Sequence, residues 1–131
     1  MNIAVRYCSR GGITKKVAEI IAAQAGVKAV SVDAADAPLT EKADVLFIGG
    51  ALYAYGLDKR LTAYLNGIDG SKVGEAAVFS TSWLSKHAID LIKKGLAAKG
   101  IKVREGYLYL KSGQVDKRTD EIKSFADNNI K

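Results

Sequence analysis

Apolar runs rich in Val, Ile and Phe alternate five times with segments of helical period, and this alternation constrains the fold more than any other feature. Ile3-Ala4-Val5-Arg6-Tyr7 reads as a strand. Residues 14–25 place Val17, Ile20 and Ile21 at three-to-four spacing, the mark of an amphipathic helix. Gly26 closes that helix, since glycine tolerates the left-handed conformation of a helix end. Residues 27–32 read as a second strand. Residues 33–42, with the only proline at Pro38, read as a connection holding one helical turn. Val45-Leu46-Phe47-Ile48 is apolar on both faces, as a central parallel strand should be, and runs into Gly49-Gly50. Helical pattern resumes from Leu57, with Leu61, Tyr64 and Leu65 on one face, and stops near residues 67–70. Residues 76–80 give a fourth strand and residues 85–99 a third helix, with Ala88, Leu91, Ile92 and Leu96 inward before Gly100. Residues 103–110 give a fifth strand. Residues 119–129, with Ile122 and Phe125, give a closing helix.

Strand–helix alternation of this kind implies a parallel sheet with helices on both faces, because each right-handed crossover needs a helix to make it. The expectation is one five-stranded, doubly wound α/β domain over residues 1–131, a length suited to one domain and short for two. In such sheets ligands sit beyond the carboxyl ends of the strands, where strand order reverses. The loops after the first, third and fourth strands are therefore the ones that could carry chemistry.

Composition narrows the function classes. Apolar residues make up 48% and charged residues 26%, ordinary soluble usage. No run approaches the roughly 18 to 20 apolar residues of a membrane span. The first residues enter a strand directly with no basic leader, so a cytoplasmic location is expected. One cysteine and one histidine cannot form an internal disulfide or a metal cluster. The net charge of +6 favours anionic partners. The bases are dispersed along the chain with no run of five or six and no interleaved stacking aromatics, which argues against nucleic acid.

The loop after the first strand is Cys8-Ser9-Arg10-Gly11-Gly12-Ile13-Thr14, opening onto the first helix. Its two glycines permit a tight turn, and the N–H groups of a helix start make an anion site. Ser9 and Thr14 add hydroxyls, and Arg10 a guanidinium fork suited to phosphate. Lys15 and Lys16 stand in the first helical turn, where the dipole disfavours cations unless an anion is bound. The plain alternative is a tight turn and nothing more. A Walker loop, a dinucleotide fingerprint, a low-molecular-weight phosphatase loop and a response-regulator receiver each fail on residue chemistry here: Gly-Lys-Ser/Thr, a third glycine, an arginine in place of Thr14 and the acidic strand ends are all missing.

The loop does resemble the phosphate loop of the flavodoxin family, in which a strand ending in Tyr leads to a pattern like Ser-x-Thr-Gly-Asn-Thr and a helix with an Ala-Glu pair. Here the run is Ser9-Arg10-Gly11-Gly12-Ile13-Thr14, with Ala18-Glu19 following. Residues 43–51 are similar to that family's third strand and flavin loop. Phe79-Ser80-Thr81-Ser82-Trp83 is similar to its fourth strand and second flavin loop. Lys99-Gly100-Ile101 also fits, and the likeness is to the short-chain type, over nearly the whole sequence. It implies a strand order of 2-1-3-4-5 and FMN as cofactor. By matching position, Ser9, Arg10, Gly11, Gly12, Ile13 and Thr14 would wrap the phosphate. Ala51, Leu52, Tyr53, Ala54, Tyr55 and Gly56 would lie along the flavin ring, and Thr81, Ser82, Trp83 and Leu84 would form the opposite wall. Plain packing under a loop is the competing reading for Tyr53, Tyr55 and Trp83.

Two departures from that pattern matter. Gly11 stands where the family has a hydroxyl and Ile13 where it has asparagine. Losing one hydrogen bond to a charged phosphate costs roughly 1.5 to 3 kcal/mol, which Arg10 would partly offset. The second is charge: flavodoxins are strongly acidic, and a basic surround would ease full reduction of the flavin. The resemblance implies an electron carrier that serves redox proteins with acidic faces and has no catalytic side chain. The alternatives are an FMN-dependent oxidoreductase acting on a small acceptor such as a quinone, and a flavodoxin-fold binding module that has lost FMN. Cys8 reads as a buried small hydrophobe, with a thiol of lowered pKa as the alternative. His87 reads as a surface or capping residue.

Overall fold

In the computed structural model, which describes residues 1–53, 56–82 and 85–130, the longest strand is also the central one. This is β3, Ala43–Tyr53. It pairs in parallel with β1, Ile3–Tyr7, on one side and with β5, Val73–Ser82, on the other. The short strand β2, Ala29–Ser31, and the long strand β6, Lys102–Lys111, form the two edges, giving the order β2-β1-β3-β5-β6. A two-residue strand, β4, Gly56–Leu57, turns back antiparallel onto the end of β3. With β4 set aside, the order is the expected 2-1-3-4-5, and the α/β fold class stands as expected.

Alternation along the strands builds two cores. Val5, Val45, Phe47 and Phe79 face helices α1, Ile13–Ala25, and α4, Thr119–Ile130, and pack with Val17, Ile21 and Ile122. Phe47 and Phe125 meet edge to face at 5.8 Å between ring centroids. The neighbouring residues Leu46, Ile48 and Val78 face helices α2, Lys59–Gly67, and α3, His87–Ala97, and pack with Leu61, Ile89, Ile92 and Leu96. The sheet is therefore covered on both sides, which is why β3 and β5 read as continuous apolar runs.

Several boundaries differ from the sequence reading. Residues 33–42 make turns and no helix. The helical pattern read from Leu57 begins at Lys59, since Leu57 pairs in β4. A 3-10 segment, Ser112–Lys117, separates β6 from α4, so the fifth crossover strand does not run straight into the last helix. Val115 in that segment is buried against the α1 face and explains why it folds back. The register of β6 against β5 also shifts: Ala76 faces Val103 and Val78 faces Tyr107. Beyond that shift Leu108 and Leu110 are buried while Tyr107 is 41% exposed, the two-faced alternation expected of this strand.

The floor beneath the carboxyl ends of the strands is tightly filled. A Cβ on Gly49 would run into the ring and the carbonyl oxygen of Phe79, and one on Gly50 would strike Leu61. Glycine at 49 is thus a packing requirement, whereas at 50 the tip of the Leu61 side chain is what stands in the way.

Candidate functional site

The loop between β1 and α1 sits at the carboxyl end of the sheet, beside the reversal of strand order between β1 and β3. Cys8 N–H donates to the Gly49 carbonyl at 3.0 Å, so the loop leaves the sheet still tied to β3. Ser9 Oγ then accepts from Gly12 N–H at 3.0 Å, closing the turn. Gly12 has φ 89°, left-handed backbone that suits glycine. Its carbonyl accepts from Lys16 N–H at 3.1 Å and starts the helix. No side chain caps α1. Among the described residues, the N–H groups of Gly11, Ile13, Thr14 and Lys15 find no acceptor outside the helix. A Cβ built on Gly11 or Gly12 meets no atom within 4 Å, so the space beside this backbone is open.

Thr14 faces inward. Its hydroxyl meets that of Thr81, at the end of β5, at 2.6 Å, and both residues are buried. The loops after β1 and β5 are therefore fastened together across the end of β3. Nearby on β5, Ser80 Oγ is buried with no hydrogen-bond partner among the described residues. Of the two lysines in the first turn of α1, Lys16 reaches Asp116 at 3.2 Å.

The side chain of Arg10 lies away from the helix start. Its guanidinium lies over the Tyr53 ring, 4.0 Å from the centroid, and its Nε donates to Asp58 Oδ2 at 2.7 Å. The Arg10 backbone N–H donates to the Tyr53 hydroxyl at 3.2 Å. Asp58 is a residue the sequence reading missed, although an aspartate directly before a helical run is a start signal. It caps α2 through Arg60 N–H at 2.8 Å and also accepts from the Arg60 side chain, which extends on to Asp33 at 3.1 Å. The hydrogen bonds from Arg60, then those from Arg10, hold the Asp58 carboxyl well below the usual range, and Asp58 in turn raises Arg60. Four charges of alternating sign thus close the β3–α2 side of the loop with no net charge.

Cys8 is 1% exposed, and its thiol is pushed up by burial and by the Asp58 charge. Both observations favour the buried hydrophobe over a thiol of lowered pKa. Ala51, Leu52 and Tyr53 end β3 and Gly56 opens β4, all half-buried. Thr81 and Ser82 end β5. Ala54, Tyr55, Trp83 and Leu84, the other expected ring contacts, lie outside the described residues.

Comparison with known proteins rests on structure. No protein-family model matches the sequence, and no curated protein matches it. Solved structures do. A flavodoxin from the domain Archaea superposes with a TM-score of 0.85 at 21% identity, covering 99% of this chain and 96% of that one. The fold is flavodoxin-like. A short-chain flavodoxin associated with a PDU bacterial microcompartment gives 0.79 at 16% identity, over 99% and 97% of the two chains. An NADH:FMN oxidoreductase in its apo form gives 0.74 at 17%, over 99% and 89%.

A flavodoxin-like fold raises the question of FMN, and the donor set answers for the phosphate end. Unpaired N–H groups, a left-handed glycine, open space and the positive end of α1 suit a phosphate monoester. Ser9 keeps its hydroxyl proton free to donate. Tyr53, expected from the sequence to lie along the flavin ring, has one face covered by Arg10.

Proposed function

We propose that this chain binds FMN at the loop between β1 and α1 and carries electrons between redox proteins. The observation that carries the reading is the opening of α1: a glycine at φ 89°, followed by N–H groups with no acceptor among the described residues. Backbone, rather than side chains, supplies the donors. This answers the Gly11 and Ile13 departures, since neither a hydroxyl at 11 nor an amide at 13 is needed for main-chain N–H groups to bind an anion. FMN, when bound, would supply the redox chemistry. The chain's own work is to hold the phosphate on the N–H groups of Gly11, Ile13 and Thr14, to tie that phosphate loop to the loop after β5 through Thr14 and Thr81, and to present Tyr53 to the ring once Arg10 has left it.

The Arg10–Asp58 pair favours one second reading, a flavodoxin-fold module without FMN, because the guanidinium rests where a ring would stack. An absorption spectrum of the purified protein followed by FMN titration separates the two. Flavin bands, or quenching of added FMN fluorescence at low micromolar concentration, support the carrier. A colourless protein that leaves FMN fluorescence unchanged at high micromolar concentration retires it in favour of the module.

A further inference from the structure

The chain's positive charge is concentrated at one edge of the sheet. Residues 86–118 hold nine Lys and Arg against three acids, Asp90, Glu105 and Asp116, a surplus equal to the whole net charge of +6. Outside that stretch, eleven bases face eleven acids. These bases belong to α3, β6 and the segments next to them, and β6 is an edge strand. Arg104 and Lys102 share the single carboxylate of Glu75. Lys86, Lys93, Lys94 and Lys111 form no ion pair among the described residues.

These cations surround an exposed aromatic. Lys93 Nζ lies 5.0 Å from the Tyr107 ring centroid, and Lys86 Nζ lies 5.7 Å from Tyr107 and 5.9 Å from Tyr109. A shallow cleft of about 480 Å³ runs from these rings across the β6 edge to Ser124 and Phe125 of α4. Glu121 is the acid that lines it. The patch is continuous with the candidate site: Tyr109 Oη donates to the Ser82 carbonyl at 3.2 Å, and Ser82 ends the strand whose Thr81 is fastened to Thr14.

We infer that the β6 edge, with Lys86 and Lys93 around Tyr107, is the docking surface for an acidic redox protein. This rests on the electron-carrier reading and adds where the partner sits. Charge narrows the occupant to an anionic partner, and the electron-carrier reading makes that partner a redox protein. A second copy of this chain would bring lysine against lysine, whereas carboxylates of an acidic partner would be steered to this edge. An exposed tyrosine beside a cleft is the kind of anchor that holds once the charges have met.

The test uses an acidic [2Fe–2S] ferredoxin as probe, titrated into isotopically labelled full chain at low salt, with FMN binding recorded on the same preparation before the probe is added. Amide shifts should cluster at residues 86–94 and 105–111. Lys86→Glu with Lys93→Glu should weaken binding at least tenfold. Lys28→Glu with Lys42→Glu, an equal charge change just before β2 and β3 and away from β6, should weaken it no more than two- to threefold. Equal losses in both pairs, shifts elsewhere, or no binding would overturn the surface. A protein that binds FMN yet fails these tests loses the docking surface alone. A protein that docks the probe but ignores FMN keeps the surface and loses the carrier.

Discussion

Thr14 and Thr81 share a hydrogen bond of 2.6 Å in a buried position, although 67 residues separate them in sequence. One belongs to the first turn of α1 and the other to the end of β5, so a single pair of hydroxyls sets the spacing of the two loops that flank the strand ends.

Removing one partner should cost more than removing both. Thr81→Val leaves the Thr14 hydroxyl buried and unpaired, a loss of about 1 to 3 kcal/mol. The double variant Thr14→Val/Thr81→Val replaces the pair by methyl groups of similar shape and should recover most of that loss. Urea unfolding of the four proteins in the cycle measures it; additive losses would show that the pair contributes nothing as a pair.

Arg10 is held by Tyr53 and Asp58, so its charge is spent locally and its plane covers the ring a flavin would need. A half-exposed cation–π contact and one ion pair together amount to about 1 to 2 kcal/mol, or roughly five- to thirtyfold in affinity. Arg10→Ala should therefore tighten FMN binding by up to that factor, and should tighten riboflavin equally. If FMN alone weakens, Arg10 turns to the phosphate on binding.

Acid should loosen the β3–α2 corner. The folded-state pKa of Asp58 is depressed by Arg60 and Arg10. Its contribution is thus present above the unfolded aspartate value near ~3.9 and is lost as pH falls through and below it. Asp58→Asn keeps a residue able to cap α2 and removes the charge. The variant should be less stable than the parent at neutral pH, and the gap should close progressively in acid unfolding titrations below about pH 4. A gap independent of pH would place the loss in packing.

A basic surround should also show in the redox couple. Positive charge favours adding an electron to a bound flavin, and salt screens that field with a length of roughly 10 Å at 0.1 M. The potential for the second electron should become more negative as potassium chloride is raised, and more negative in Lys86→Glu/Lys93→Glu at fixed salt. Spectroelectrochemistry on the FMN-loaded protein reads both, and a potential rising with salt would contradict the argument.

How much was legible in advance follows from what acts locally. The strands and helices were readable because burial on both faces of β3 and β5 leaves unbroken apolar runs, and because helix faces repeat at short range. β4 escaped notice because a two-residue hairpin has no period. The 3-10 segment after β6 is fixed by Val115 reaching the α1 core, a contact no local window contains. At the site, the loop backbone was readable from Gly11 and Gly12. The direction of Arg10 was not, because Asp58 lies 48 residues away in sequence. The charge map is half legible: the surplus of bases lies in one stretch, residues 86–118, and strand order adds that its strand forms an edge.

The crowding at Gly49 carries its own consequence. The Phe79 ring and carbonyl fill the space where a side chain at 49 would begin, and Leu61 does the same for Gly50. Gly49 cannot change even with a smaller residue at 79, because the Phe79 carbonyl stays in the way, whereas Gly50 can change if the side chain at 61 gives way. A set of related sequences should therefore hold glycine at 49 and record positions 50 and 61 changing together.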